Sequence, residues 1–163
     1  SLHDWGEGIT RNDHPFTEKK LIHELEEYNA FYHSFKNLPP EIFDLCQKAF
    51  VLQFVYPLNG RAISEKPPLK SWGTFPEPVR KIIAQLADEK SSEALRFSAV
   101  ERLEYIMYAI EQYILRQNFG MAKEVISNQL PDMRQACSLV PGFKEKIWTN
   151  EVDKAAQFIR DYQ

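Results

Sequence analysis

The sequence predicts an all-α fold, a single compact bundle of about six to seven helices. Three observations lead there. Apolar residues recur at steps of three and four along most of the chain, and no segment sustains the alternation of a half-buried strand. Prolines, glycines and capping residues cut the periodic stretches into helix-length pieces. The chain has 163 residues, 44% apolar and 13% aromatic, which is enough for one core of ordinary size, so one helical domain over residues 17–163 is expected.

Residues 1 to 16 carry Gly6, Gly8 and Pro15 without apolar periodicity and read as a flexible arm, ordered only where Trp5 docks. From Thr17, a capping residue, Leu21, Leu25, Tyr28, Tyr32 and Phe35 repeat on one face of a first helix, which Asn37 to Pro39 closes. Lys19, Lys20, Glu26 and Glu27 fall on its opposite, solvated face. Pro40, suited to a first turn, opens a second helix to about Val55. Ile42, Phe43, Leu45, Cys46, Ala49, Phe50, Leu52 and Phe54 make that helix apolar around most of its circumference, and it is expected to be central. Residues 56–75 hold Pro57, Asn59-Gly60, Pro67-Pro68 and Gly73, a long irregular connection of a kind that compact domains rarely keep without a use.

A third helix starts around Pro76 to Pro78 and runs to about Lys90, with Val79, Ile82, Ile83 and Leu86 inward. Ser98 and Glu101 have capping-box spacing ahead of Leu103, Ile106, Met107, Ile110, Tyr113 and Ile114; a start nearer Ser92 would instead make Ser98 an interior residue. This fourth helix ends at Gln117, with Gly120 placed to take a left-handed cap. Met121 to Leu130 reads as a short helix stopped by Pro131, which starts another through Leu139. Pro141-Gly142 breaks that one, Phe143 to Trp148 adds a turn or two, and Thr149 or Asn150 caps a last helix carrying Val152, Ala155, Phe158 and Ile159. The two hairpins, at Gly120 and at Pro141-Gly142, have the style of stacked helical repeats, although no fixed period recurs.

The charge is nearly balanced, 23 acids against 20 bases for a formal net charge of -3, which favours neither nucleic acid nor an anionic membrane as a partner of the whole domain. The longest nearly apolar run, Ala49 to Val55, is far short of the roughly 20 residues that span a bilayer. Cys46 and Cys137 lie apart in apolar contexts, outside any C-x-x-C or Cys/His spacing, and read as buried thiols in a reducing, cytoplasmic compartment. The chain starts without Met, basic residues or an apolar stretch of the signal-peptide kind, and it stops inside a helical pattern; the expectation is a piece of a larger intracellular protein.

No residue pattern predicts catalysis. His23 and Glu27 are four apart and share a helical face, but a zinc helix needs His at both ends of H-E-x-x-H and a distant third ligand, so a solvated face is the simpler reading and no metal is expected. All four histidines fall within the first 33 residues, leaving Cys137 without a nearby base. Six glycines include no phosphate-cradling motif, and no cofactor is expected. The carboxylate pairs Glu26-Glu27, Glu101 with Glu104, and Asp88-Glu89 sit on outer faces, where nothing shifts a pKa for general acid–base work.

Interaction is the better prospect. Arg61, Lys66, Lys70, Arg80 and Lys81 outnumber Glu65 and Glu77 in and after the 56–75 loop, and Trp72 stands among them. Such a loop can offer Arg61, Lys66, Lys70 and Trp72 to an acidic protein surface or an anionic lipid headgroup; the alternative is a proline-rich linker whose Trp72 folds back on the core. Five bases with one aromatic fall short of a nucleic-acid stripe. Tyrosines suit interfaces because an apolar body and a polar tip are both satisfied there, and Tyr108, off the main apolar stripe of its helix, is the best single contact candidate.

Three motifs stand in a telling order: Leu38-Pro39-Pro40-Glu41-Ile42-Phe43 entering a helix, Arg116-Gln117-Asn118-Phe119-Gly120-Met121-Ala122 at a tight helix-to-helix turn, and Leu139-Val140-Pro141-Gly142-Phe143-Lys144 leading to Ile147. Over residues 38 to 148 the chain resembles the C-terminal helical domain of the COPII outer-coat subunit and the related domain of the steroid receptor RNA activator protein. The resemblance implies a helical bundle without catalysis that serves assembly or partner binding, and it assigns no functional residue. The function expected is therefore a non-catalytic interaction or scaffold domain with a protein partner. The alternatives are a peripheral membrane domain reading anionic lipid through the loop, and a metal or enzymatic domain using His23 and Glu27.

Overall fold

Helix starts follow the proline signals at Pro40 and at Pro76 to Pro78, whereas Pro131 does not end its helix. The computed structural model describes residues 21–56 and 75–162. They form α1 (Leu21–Phe35), α2 (Pro40–Val51) with a following 3-10 turn (Leu52–Phe54), α3 (Glu77–Asp88), α4 (Ser92–Arg116), α5 (Phe119–Leu139), α6 (Phe143–Lys146) and α7 (Asn150–Asp161). The protein is all-α, with no strand among the described residues. Among them, too, no helix is long and apolar enough to cross a membrane. They fall into two compact units, the first running through Ala94 and the second starting at Leu95.

The first unit is built on aromatic rings. Phe31 of α1 stacks on Phe50 of α2 with centroids 4.4 Å apart, and Phe75 meets Tyr28 edge-on at 6.0 Å and Phe54 at 4.9 Å. Tyr28 is buried, which raises its phenol pKa, and its oxygen accepts a hydrogen bond from Gln47 Nε2 at 3.0 Å. The buried arc of α1 is centred on Tyr28 and Phe31, so Glu27, one helical turn from Phe31, is drawn in and is only 3% exposed. That corrects the expectation of a solvated Glu27, while Tyr32, expected inward, lies on the surface.

α2 is not the central helix that its composition predicts. It meets α3 and the 3-10 turn, burying Gln47, Phe50 and Val51, while Ile42 and Leu45 remain largely exposed. The α-helix also stops at Val51 rather than near Val55; the 3-10 turn that follows still buries Phe54. α3 begins behind Pro76 with Pro78 in its first turn, as expected, and ends in a Schellman arrangement. The Ser91 amide donates to the Leu86 carbonyl at 2.9 Å and the Lys90 amide to Ala87 at 3.2 Å, with Lys90 in the left-handed region at φ 48°.

α4 starts at Ser92, and all but its first three residues belong to the second unit, so Ser98 is an interior, buried residue and not a cap. The left-handed position after α4 belongs to Gln117 (φ 54°), not to Gly120, which sits in the first turn of α5. Asn118 then caps α5, its Oδ1 accepting from the Met121 amide at 3.5 Å. α5 passes straight through Pro131, where two helices are expected. Proline costs a helix interior about 3 kcal/mol, because it cannot bond the Ser127 carbonyl and its ring crowds it. Against that, Ile126, Leu130, Met133 and Ala136 form one fully buried stripe across the proline, and burying a Leu or Met side chain contributes roughly 1.5–3 kcal/mol each. Packing therefore outweighs the break. α5 packs along α7 and against α6, which Gly142 introduces at φ 76°, a conformation that needs glycine.

Candidate protein-binding face

α4 sets its own orientation through what it buries. Ala99, Arg102, Ile106, Ala109 and Gln112 are at helical steps of three and four, and all are buried. This arc is displaced from the expected stripe of Leu103, Ile106, Met107, Ile110, Tyr113 and Ile114. Ile106 alone of those six is buried; Met107 and Ile114 are largely exposed. The helix simply carries more apolar residues than one buried arc can take.

Arg102 anchors the arc. Its side chain is fully buried, and the guanidinium donates to the Ser98 carbonyl at 3.2 Å, to the Ser98 hydroxyl, and to Asp132 Oδ2 of α5 at 3.4 Å. Burial pulls the guanidinium below its usual pKa, and the Asp132 carboxylate opposes the shift.

The surplus apolar residues face outward. Val100, Met107, Tyr108, Ile114 and Leu115 are 44 to 70% exposed. At about 100° per residue they fall within an arc of about 120°, and along the axis they extend about 22 Å at about 1.5 Å per residue. Scattered exposed apolar residues need no explanation, but five large ones gathered on one arc of a helix do. Two exposed acids, Glu104 and Glu111, stand inside the same arc.

Tyr108 is thus part of an exposed face, and the structure supplies four neighbours that sequence reading assigned to the core or passed over. Their signal was legible as a seven-residue repeat, Val100, Met107 and Ile114, with Tyr108 and Leu115 in step beside it. Arg61, Lys66, Lys70 and Trp72 lie outside the described residues. His23 is half-buried, and no group of three or more His, Cys, Asp or Glu side chains is placed to hold a metal among the described residues.

A cleft of about 410 Å³ opens elsewhere on the second unit, lined by Arg134, Cys137, Ser138, Lys144, Trp148 and Asp153 among others. Its main charges are already paired. Arg134 donates to both Asp153 oxygens, at 2.9 and 2.8 Å, and to Gln157 Oε1 at 2.8 Å, while Trp148 Nε1 donates to Asp153 at 2.9 Å. These bonds hold the Asp153 carboxyl below its ordinary pKa, with Arg134 the chief cause. Cys137 is half-buried rather than fully buried, as is Cys46, and both are free thiols. Burial, with the nearby Asp153 charge, pushes the Cys137 thiol pKa up, against what a nucleophile requires.

No protein-family model, curated protein or solved structure matches this chain. The likeness to the coat-subunit domain accordingly remains an expectation drawn from the three sequence motifs.

Proposed function

We propose that this chain is a non-catalytic helical interaction module that binds a protein partner through the outward face of α4. The observation that supports the reading is the group of five large apolar side chains, Val100, Met107, Tyr108, Ile114 and Leu115, left 44 to 70% exposed on one helix. Apolar area of this kind is stabilised by removal from water, at about 25 cal/mol per Å², and Tyr and Met side chains are common at contact surfaces. The motif resemblance points the same way, toward assembly or partner binding. Photo-crosslinking tests it: a benzophenone amino acid at Tyr108 is expected to capture a discrete protein partner, and one at the exposed Lys146 is not. Met107→Glu with Leu115→Glu is expected to reduce the capture about tenfold or more, equivalent to about 1.4 kcal/mol, with the melting temperature unchanged. Capture that survives both substitutions in a folded protein excludes this face.

A further inference from the structure

We infer that the occupant of this face is a basic amphipathic helix of about four turns, laid alongside α4; the inference rests on the reading of the face as a protein-binding surface. Three parallel rows support it. Val100, Met107 and Ile114 form one row at seven-residue spacing, Tyr108 and Leu115 a second, and Glu104 and Glu111 a third between them. A common period of seven is the condition under which two helices stay in register over their whole contact, each apolar knob meeting a gap on the other. The face is also helix-sized. Its length of about 22 Å and width of one helix suit a segment of roughly 15 residues, and fall below the roughly 800 Å² per partner that a stable globular interface buries.

Charge selects the partner. Glu104 and Glu111 are exposed and form no ion pair or hydrogen bond among the described residues. Between Phe97 and Leu115 the sequence has a single base, Arg102, which is fully buried and bonded to Ser98 and Asp132. Arg96, exposed on the same arc one turn before Val100, is about 12 Å along the axis from Glu104, too far to pair with it, so among the described residues no base neutralises the two carboxylates. An apolar partner would bury them unpaired, a costly outcome, whereas Lys or Arg residues seven apart on an incoming helix would pair with both. A second copy of α4 is disfavoured by the same charges. An antiparallel pair centred between Met107 and Tyr108 sets Glu104 of each helix against Glu111 of the other, and a parallel pair sets each glutamate against itself. An anionic membrane meets the same repulsion.

The test uses the full chain and three synthetic 18-residue peptides: two apolar rows set on either side of Lys and Arg at seven-residue spacing, the same rows around Glu, and a shuffled basic sequence without the period. Fluorescence anisotropy is expected to show the basic amphipathic peptide binding at least tenfold tighter than the other two, with affinity falling as salt rises. Glu104→Lys with Glu111→Lys is expected to invert the preference, and Met107→Asp with Leu115→Asp to abolish binding, in proteins whose circular dichroism is unaltered. Equal binding of all three peptides, an unchanged preference after charge reversal, co-sedimentation of the wild type with phosphatidylserine vesicles, or dimerisation through this face each overturns the inference. Crosslinking from Tyr108 that still depends on Met107 and Leu115 would then leave the face as a binding site with a different occupant. Loss of that dependence removes the face itself.

Discussion

Arg102 shows how a single side chain can fix the rotation of a helix. A guanidinium is expensive to bury, and it is tolerated here because Ser98 one turn earlier and Asp132 on α5 receive its donors. With Arg102 inside, the residues opposite it on α4 must be outside. Arg102→Ala is expected to cost about 3–5 kcal/mol, because it empties a packed site and strands the largely buried Asp132 carboxylate. Arg102→Met combined with Asp132→Asn should recover part of that loss, as measured by urea denaturation of both variants. An equal loss in the double variant would mean that the pair itself is not what holds α4. Sequence reading missed this residue by counting only apolar positions into the stripe. Arg102 and Gln112 sit at the steps of the buried arc, and polar residues become legible there only once their partners are known.

At the level of the element, the signals that worked were those tied to backbone geometry. Pro76 and Pro78 open α3, Pro40 opens α2, and Gly142 breaks the chain before α6, because ring closure and the absent Cβ act locally whatever the tertiary context. The signals that failed were those that packing overrides. Pro131 lies within α5, and Gln117 and Lys90 take left-handed conformations for which glycine is better suited. Pro131→Ala restores a donor to the Ser127 carbonyl and removes the ring. After allowance for the extra freedom of the unfolded chain, it is expected to stabilise the protein by about 1–2 kcal/mol. A melting temperature that falls instead would show that the Pro131 ring stabilises α5. The α4 face was half legible: its seven-residue repeat is in the sequence, but Met107 and Ile114 belong equally well to an inward stripe until Arg102 is seen to be buried.

On the scale of the molecule, the two units differ in what holds them. The first relies on stacked rings, whereas the second adds an ionic clasp that ties α5 to α7 and to Trp148 through Asp153. The Asp153 pKa is depressed in the folded state, so its stabilisation is complete above the ordinary carboxylate range and is lost as pH falls through the lower folded value. Because Arg134 is well exposed, solvent screening keeps this contribution near 1 kcal/mol. Trp148 reports it directly. With Trp5 and Trp72 replaced by Phe, its fluorescence is expected to show acid unfolding of the second unit. Asp153→Asn should reduce stability at neutral pH and flatten the dependence below pH 4. A wild-type profile already flat there would remove Asp153 as the acid-sensitive group.

The joint between α4 and α5 consists of two residues, Gln117 and Asn118, one set in a left-handed conformation and the other engaged as a cap. A connection so short cannot take up slack, and α4 behind it is a single 25-residue rod. Its outward face is therefore already ordered before anything binds, with the loss of backbone freedom charged to folding rather than to association. A flexible partner segment that coils against it would bear the whole entropic cost of the encounter. Such a division favours complexes that form on demand and come apart readily, with the rod as a fixed template and the partner as the half that changes shape.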